Sequence, residues 1–116
     1  MDGTIYKVLS CNDLAKAKAK GRFEGSAAEA RDGFIHLSSA DQLEATLAKH
    51  FAGQKDLVLL ALDSACLGER LQWEASRGGA LFPHLYGPLE LDALQWEEPL
   101  KLGDDGRHHL PRRVRP

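Results

Sequence analysis

The chain has 116 residues, enough for one domain and too few for two. It is 43% hydrophobic and 28% charged with a formal net charge of −2, so it lacks the basic excess of a general nucleic-acid binder. No apolar run approaches the roughly 18 residues of a membrane helix, and the start of the chain does not resemble a signal peptide. We therefore expect a single cytoplasmic domain over residues 1–111 with a frayed basic tail at 112–116, and the composition leaves its oligomeric state open.

The first elements follow from apolar patterning and from helix caps. Ile5–Leu9 is apolar and of strand length, which predicts a first strand. Asn12 or Asp13 can cap a helix that runs to about Lys20, and Gly21 is a typical stop. The two cysteines of the chain stand outside any C-x-x-C pattern, so we expect free thiols that are small, buried apolar residues.

The middle of the chain predicts a loop, a strand and a second main helix. Gly25–Gly33 is small and polar, which indicates a loop, and Phe34–Ser38 predicts a short strand. The residues Ser39–Gln42 have the pattern of a capping box. A helix that ends at Gly53 would follow, with these apolar residues on one face: Leu43, Leu47 and Phe51.

The second half predicts three strands. The apolar run Leu57–Leu62 is typical of a central strand buried on both faces, and Leu71–Glu74 is a second candidate. Ser76–Pro88 is rich in Gly, Pro and aromatic residues, which predicts a structured loop. Leu94–Leu100 reads as the last strand, its proline indicating an edge or an end, and a turn follows at Gly103–Gly106. The irregular order of strands and helices favours an α+β fold.

The segment FIHLS contains the first candidate site residues. In a strand with alternating sides, Ile35 and Leu37 face the core. Phe34, His36 and Ser38 then share the opposite face, which could line a cleft. The alternative is that His36 is a sheet histidine whose hydrogen bonds are all made within the fold.

A second segment, WEASRGGALFPHLYGP, combines carboxylate, hydroxyl, guanidinium, imidazole and aromatic groups with a glycine pair. Its candidate site residues are Glu74, Ser76, Arg77, Gly78, Gly79, Phe82, His84 and Tyr86. The glycines could let backbone amides approach an anion, and the arginine could bind a phosphate or carboxylate through two hydrogen bonds. The alternative is a rigid Pro-Gly turn whose aromatic rings cover the core.

Several well-known site motifs are absent from the sequence. It contains no phosphate-binding glycine motif and no G-x-S-x-G nucleophile motif. Its histidines lack the H-x-x-x-H or H-E-x-x-H spacing of a zinc site, so we expect no metal.

Taken together, the motifs resemble those of the domain-of-unknown-function 952 family. The resemblance rests on IYKVLS, DGFIHLS with its capped helix, LVLLAL, WEASRGGALFPHLYGPL and GRHHLP, and it covers about Ile5–Pro111. It implies a bacterial or plant protein without a settled activity. It also implies a fold similar to that of the ADP-ribosyltransferases, in which two small, mainly antiparallel sheets and two main helices form a split core around a cleft.

The resemblance also implies roles for individual residues. His36 would hold the ribose of an NAD-like ligand, and Ser38 would add a hydrogen bond. Phe82 or Tyr86 would stack on nicotinamide, while Glu74 would polarise a ribose hydroxyl. In the phosphotransferase branch of the fold, several arginines and histidines hold a 2′-phosphate, and this sequence matches only part of that set, with Arg77 and His84.

Three hypotheses about function follow. The first is a small-molecule-binding domain for an NAD-like compound or a phosphorylated nucleotide, with transfer from NAD as a further option. The second is a hydrolase or lyase in which His84 or His36 acts as general base beside Glu74. The third is a non-catalytic interaction module that docks through its aromatic loop.

Overall fold

Residues 3–75 and 79–114 are described by a computed structural model of the chain. The helices are α1 (Cys11–Lys20), α2 (Ala27–Asp32) and α3 (Leu43–His50). The strands are β1 (Thr4–Ser10), β2 (Arg22–Phe23), β3 (Ile35–His36), β4 (Leu57–Asp63), β5 (Leu71–Ala75), β6 (Leu81–Leu85), β7 (Leu89–Glu90), β8 (Leu94–Leu102) and β9 (His108–His109).

The strands form one larger sheet and two smaller ones, and every strand pair is antiparallel. The larger sheet has four strands in the order β1-β4-β8-β9. A three-stranded sheet has the order β3-β6-β5, and β2 pairs with β7. The predicted α+β class with mainly antiparallel sheets is confirmed.

The larger sheet separates two hydrophobic clusters, because β4 is apolar on both faces. Leu60 and Leu62 pack with residues of α1 and of the three-stranded sheet. Leu59 and Ala61 pack with α3 on the opposite face. All four are fully buried, which confirms the predicted central strand.

Three boundaries predicted in the first half were wrong. Helix α1 begins one residue after Ser10, whose hydroxyl accepts the Asp13 amide, so the cap is neither Asn12 nor Asp13. The segment predicted as a loop contains α2, which a Ser26–Glu29 capping box starts and Gly33 ends. Helix α3 ends at His50, before the predicted glycine stop.

Other differences concern strands and turns of the second half. The predicted loop after β5 contains β6, the middle strand of its sheet. Pro99 lies in β8, between β4 and β9. Because β9 pairs only with Lys101 and Leu102, β8 has no described partner on that side at the proline. The strand predicted as the last is followed by β9, and Gly103–Gly106 forms the expected turn.

The structure also describes both cysteines, an arginine of the basic tail and the lengths of the helices. Cys11 and Cys66 are free thiols as predicted, but both are exposed rather than buried. Arg113 lies over the Trp96 ring at 4.8 Å and forms an ion pair with Glu98. Within residues 3–75 and 79–114, no helix is long and apolar enough to cross a membrane.

Candidate functional site

A cleft of about 600 Å³ lies along β1, the edge strand of the larger sheet, where this sheet meets the three-stranded sheet. One wall comes from α1, α2 and the residues around them, including Asp13, Glu29 and Asp32. The other comes from α3 and the turn after it, including Thr46 and His50. The three-stranded sheet closes one side with these residues: His36, Phe82 and His84. This volume lies within the range of small-molecule sites.

The segment FIHLS contributes three residues to the cleft lining: His36, Leu37 and Ser38. Ile35 and Leu37 are buried in the core as the alternation predicts, but Leu37 also lines the cleft and Phe34 does not. Only its Ile35–His36 part is a regular strand, because the chain then turns to pair with β1. There the backbone groups of Ser38 exchange two hydrogen bonds with those of Tyr6, at 2.8 and 2.9 Å.

A buried ion pair fixes the backbone of His36. The Lys7 ammonium donates to Glu29 Oε2 at 2.6 Å and to the His36 carbonyl oxygen at 3.0 Å. The same Glu29 oxygen accepts the His36 backbone N–H at 2.7 Å, and its other oxygen accepts the Ser26 N–H at 3.0 Å. The pair therefore holds both backbone polar groups of His36 and sets the position of its side chain.

The protonation of this pair reflects burial and mutual attraction. Burial raises the pKa of the Glu29 carboxyl, whereas the Lys7 ammonium and the two backbone donors lower it. The lowering is the larger of the two effects, so the pKa lies below its ordinary value. Burial lowers the pKa of Lys7, against the pull of Glu29. We therefore treat Glu29 as ionised and Lys7 as its counterion.

The second polar group in the cleft wall is His84, of which only 4% is exposed. Its ring stacks on Phe34 at 4.1 Å between centroids, and His36 meets it edge-on at 5.3 Å. Nδ1 lies 2.9 Å from Glu74 Oε1, which also accepts the Tyr86 hydroxyl at 2.6 Å. Nε2 is buried and has no hydrogen-bond partner among the residues that the structure describes.

The hydrogen bonds of Glu74 decide which nitrogen of His84 carries the proton. The Tyr86 hydroxyl and then the His84 ring lower the pKa of the Glu74 carboxyl, which makes it an ionised acceptor. The same contact raises the pKa of Tyr86, which stays a donor. Nδ1 must therefore carry a proton, and in the neutral ring Nε2 is a bare acceptor.

The structure brings most of the predicted site residues together. His36, Ser38, Phe82 and His84 line the cleft. Glu74 and Tyr86 do not line it but connect to it through His84. Gly79 is exposed and does not line the cleft. Three further candidates, Ser76, Arg77 and Gly78, lie outside the described residues.

Sequence reasoning missed the cleft residues Lys7, Glu29 and Asp32. Asp32 Oδ2 lies 3.0 Å from His36 Nε2. Two signals could have revealed the others. A lysine in the middle of an apolar strand needs a partner when buried, and Ser26 followed three residues later by Glu29 is a capping-box pattern.

No metal site is apparent in the described part of the chain, where no three His, Cys, Asp or Glu side chains are grouped to bind an ion. The polar groups of the cleft pair with one another instead. Ser38 Oγ, for example, lies 3.1 Å from Thr46 Oγ1.

The chain matches a family that is defined by sequence. The family model "Protein of unknown function (DUF952)" matches residues 8–97. The chain therefore belongs to this family, as its motifs predicted. No curated protein matches the chain.

Solved structures of a bacterial protein are similar over nearly the whole chain. The crystal structure of protein CC0527 from Caulobacter crescentus is 53% identical, covers 96% of this chain and 97% of that one, and has a TM-score of 0.91. A solution NMR structure of the same protein is 55% identical, covers 90% of each chain and has a TM-score of 0.82. The fold is therefore shared with a solved relative.

Proposed function

We propose that this protein is a small-molecule-binding domain that holds its ligand in the cleft beside β1. The observation that supports this most is His84, a lining residue whose buried Nε2 has no hydrogen-bond partner among the described residues. A buried polar nitrogen without a hydrogen bond costs about 1–3 kcal/mol, so it is retained where a ligand completes it.

The ligand class proposed from the sequence is an NAD-like compound or a phosphorylated nucleotide. The cleft volume of about 600 Å³ accommodates a ligand of that size or a large part of one. His36, Phe82 and His84 offer ring faces and ring nitrogens of the kind that hold a ribose or a heterocycle. A fold of the ADP-ribosyltransferase kind belongs to the same proposal, with Glu74 acting on the ligand through His84.

A specific contact also favours a second candidate, a general-base enzyme. The Glu74 carboxylate accepts from Nδ1 of His84 and fixes the tautomer in which Nε2 can take a proton. Tyr86 in turn holds Glu74 in place. In such an enzyme His84 would be the base, and Glu74 and Tyr86 would position it.

The test is a thermal-shift screen with NAD, nicotinamide, ADP-ribose and AMP. A ligand at about 100 times its Kd adds about 2.7 kcal/mol, which raises Tm by several degrees in a domain of this size. The screen compares the wild type with His84→Phe, which keeps a ring against Phe34 but removes Nε2. His109→Phe, an exposed change outside the cleft lining, is the control.

We expect a shift in the wild type and in His109→Phe that His84→Phe loses. An equal shift in all three proteins would show that the ligand binds elsewhere. No shift with any compound would contradict this ligand class and favour the interaction module. A turnover of substrate that depends on His84 but not on NAD would favour the general-base enzyme.

A further inference from the structure

We infer, building on the proposed function, that the cleft selects a neutral or cationic ligand group that donates a hydrogen bond to His84, and that it disfavours anionic groups such as phosphate or carboxylate. The inference concerns the part of the ligand that enters the cleft. It refines the proposed ligand class, because the phosphorylated end of an NAD-like compound or of a nucleotide would have to lie outside the cleft.

The charges that line the cleft are mostly negative. Its described lining has three carboxylates, from Asp13, Glu29 and Asp32, and one ammonium, from Lys7. No arginine is among the described lining residues. With neutral imidazoles the formal charge of the wall is therefore negative, which attracts cations and repels phosphates.

The Lys7 ammonium, the cation among the described lining residues, is already neutralised. Lys7 Nζ lies 2.6 Å from the Glu29 carboxylate, and it also donates to the His36 carbonyl oxygen. The carboxylate of Asp13 also attracts the Lys7 ammonium and adds a second negative charge near it. An anionic ligand that approached Lys7 would have to compete with Glu29 for it. Lys7 is therefore not free to recognise phosphate, which distinguishes it from a typical phosphate-binding lysine.

The polar group left for the ligand is an acceptor. Glu74 accepts from Nδ1 of His84, so the neutral ring keeps a bare and buried Nε2, and His84 is a residue of the cleft lining. An N–H or O–H of the ligand satisfies that nitrogen, whereas a carboxylate oxygen placed there meets a second acceptor. The charge of the wall and the hydrogen-bonding state of His84 therefore select the same kind of group.

Three probes of nearly equal size and shape separate charge from hydrogen bonding. Benzamidine is a cation with N–H donors, benzamide is neutral with N–H donors, and benzoate is an anion without donors. The experiment is an NMR titration of the wild-type protein with each probe, followed at the ring resonances of His84. We expect benzamidine and benzamide to bind, and benzoate to bind at least about tenfold more weakly.

Two variants test the origin of this order. Asp32→Asn should reduce the advantage of benzamidine over benzamide by about fivefold, because it removes one charge of the wall. Asp104→Asn, in the exposed turn outside the cleft, is the matched control and should leave the order unchanged. Glu29→Gln should free the Lys7 ammonium and raise the affinity for benzoate.

The outcomes separate a failure of this inference from a failure of the proposed function. If no probe perturbs His84, the inference is wrong, and the thermal-shift screen with NAD, nicotinamide, ADP-ribose and AMP decides the proposed function separately. If all three probes bind with equal affinity, or benzoate binds best, the cleft binds ligands but the inference is wrong.

Discussion

Two buried polar groups lie in the wall of one cleft, and their hydrogen bonding differs. Both charged groups of the Lys7–Glu29 pair are hydrogen-bonded within the fold, since both carboxylate oxygens accept bonds and the ammonium donates two. His84 is as well buried, but only one of its two ring nitrogens has a hydrogen-bond partner among the described residues. The first arrangement is complete within the fold, and the second is complete only with a partner from outside.

This difference separates a structural group from a ligand-binding one. Glu29 binds three backbone or side-chain donors from separate elements and so determines where His36 lies. His84 is held on one side by Glu74 and Phe34, and its other nitrogen has no hydrogen-bond partner in the part of the chain that the structure describes. Removing Glu29 should therefore cost stability, whereas removing His84 should cost binding.

The largest expected effect is that of Glu29→Ala on stability. It leaves a buried ammonium and two backbone N–H groups without their acceptor, and losing one partner of a buried pair costs about 3–5 kcal/mol. Urea unfolding measures this loss. Glu44→Ala, an exposed change on α3, is the control and should have little effect. A loss below about 1 kcal/mol for Glu29→Ala would contradict the structural role of the pair.

The double variant Lys7→Met with Glu29→Gln sharpens this prediction. It removes both charges together and keeps an amide oxygen that can accept the His36 N–H. Replacing a whole buried pair is far less costly than breaking it, so we expect this variant to be more stable than Glu29→Ala. A double variant less stable than Glu29→Ala would show that the charges themselves stabilise the fold.

The sequence predicts some parts of the fold and the cleft, and other parts depend on contacts between distant residues. β4 was predictable because six apolar residues in a row need burial on both faces. Strand alternation placed His36 and Ser38 on the cleft side, but it did not place Leu37 there, which lines the cleft as well. Glu29 was missed because its helix is short and stands in a small, polar stretch, and its partner Lys7 is 22 residues away.

β6 was missed for a different reason. Gly and Pro around Leu81–Leu85 indicate a loop, and a proline is not expected in a middle strand. Pro83 is tolerated there because β3 pairs only with His84 and Leu85, and the Pro83 carbonyl accepts the Leu37 amide. The contact of Glu74 with His84 depends on the pairing of β5 with β6, so it could not be derived from spacing.

Acid should weaken the wild type more than the variant without the ion pair. The pKa of Glu29 lies below its ordinary value, so the unfolded chain takes up its proton first as the pH falls. The stability that Glu29 contributes is present above the unfolded pKa and is lost as the pH falls through the folded one. Urea unfolding between about pH 5 and pH 2 measures this slope. Equal slopes in wild type and Lys7→Met with Glu29→Gln would contradict the prediction.

His84→Phe should have a smaller effect on stability than any change that breaks the pair. The phenyl ring keeps the contact with Phe34 and removes a buried nitrogen without a partner, so we expect a change within about 1 kcal/mol in urea unfolding. A loss as large as that of Glu29→Ala would mean that His84 is structural and that the comparison between the two groups is wrong.

The smallest effect concerns the hydroxyl that supports Glu74. Its hydrogen bond raises the pKa of Tyr86 above the ordinary value of 10.0. Glu74→Gln removes the carboxylate charge and should lower that pKa toward the ordinary value. A spectrophotometric titration of the phenol in a Tyr6→Phe background isolates Tyr86, since the chain has two tyrosines. An unchanged titration would show that the Tyr86–Glu74 bond does not form in solution.

The most direct test of the ligand-binding role of His84 is the NMR spectrum of its two ring nitrogens, first in the free protein and then with benzamide. We predict that the free ring carries its proton on Nδ1, with Nε2 bare, and that benzamide shifts the Nε2 resonance while Nδ1 keeps its bond to Glu74. A free ring with its proton on Nε2, or an Nε2 resonance that no probe moves, would contradict the role proposed for this cleft.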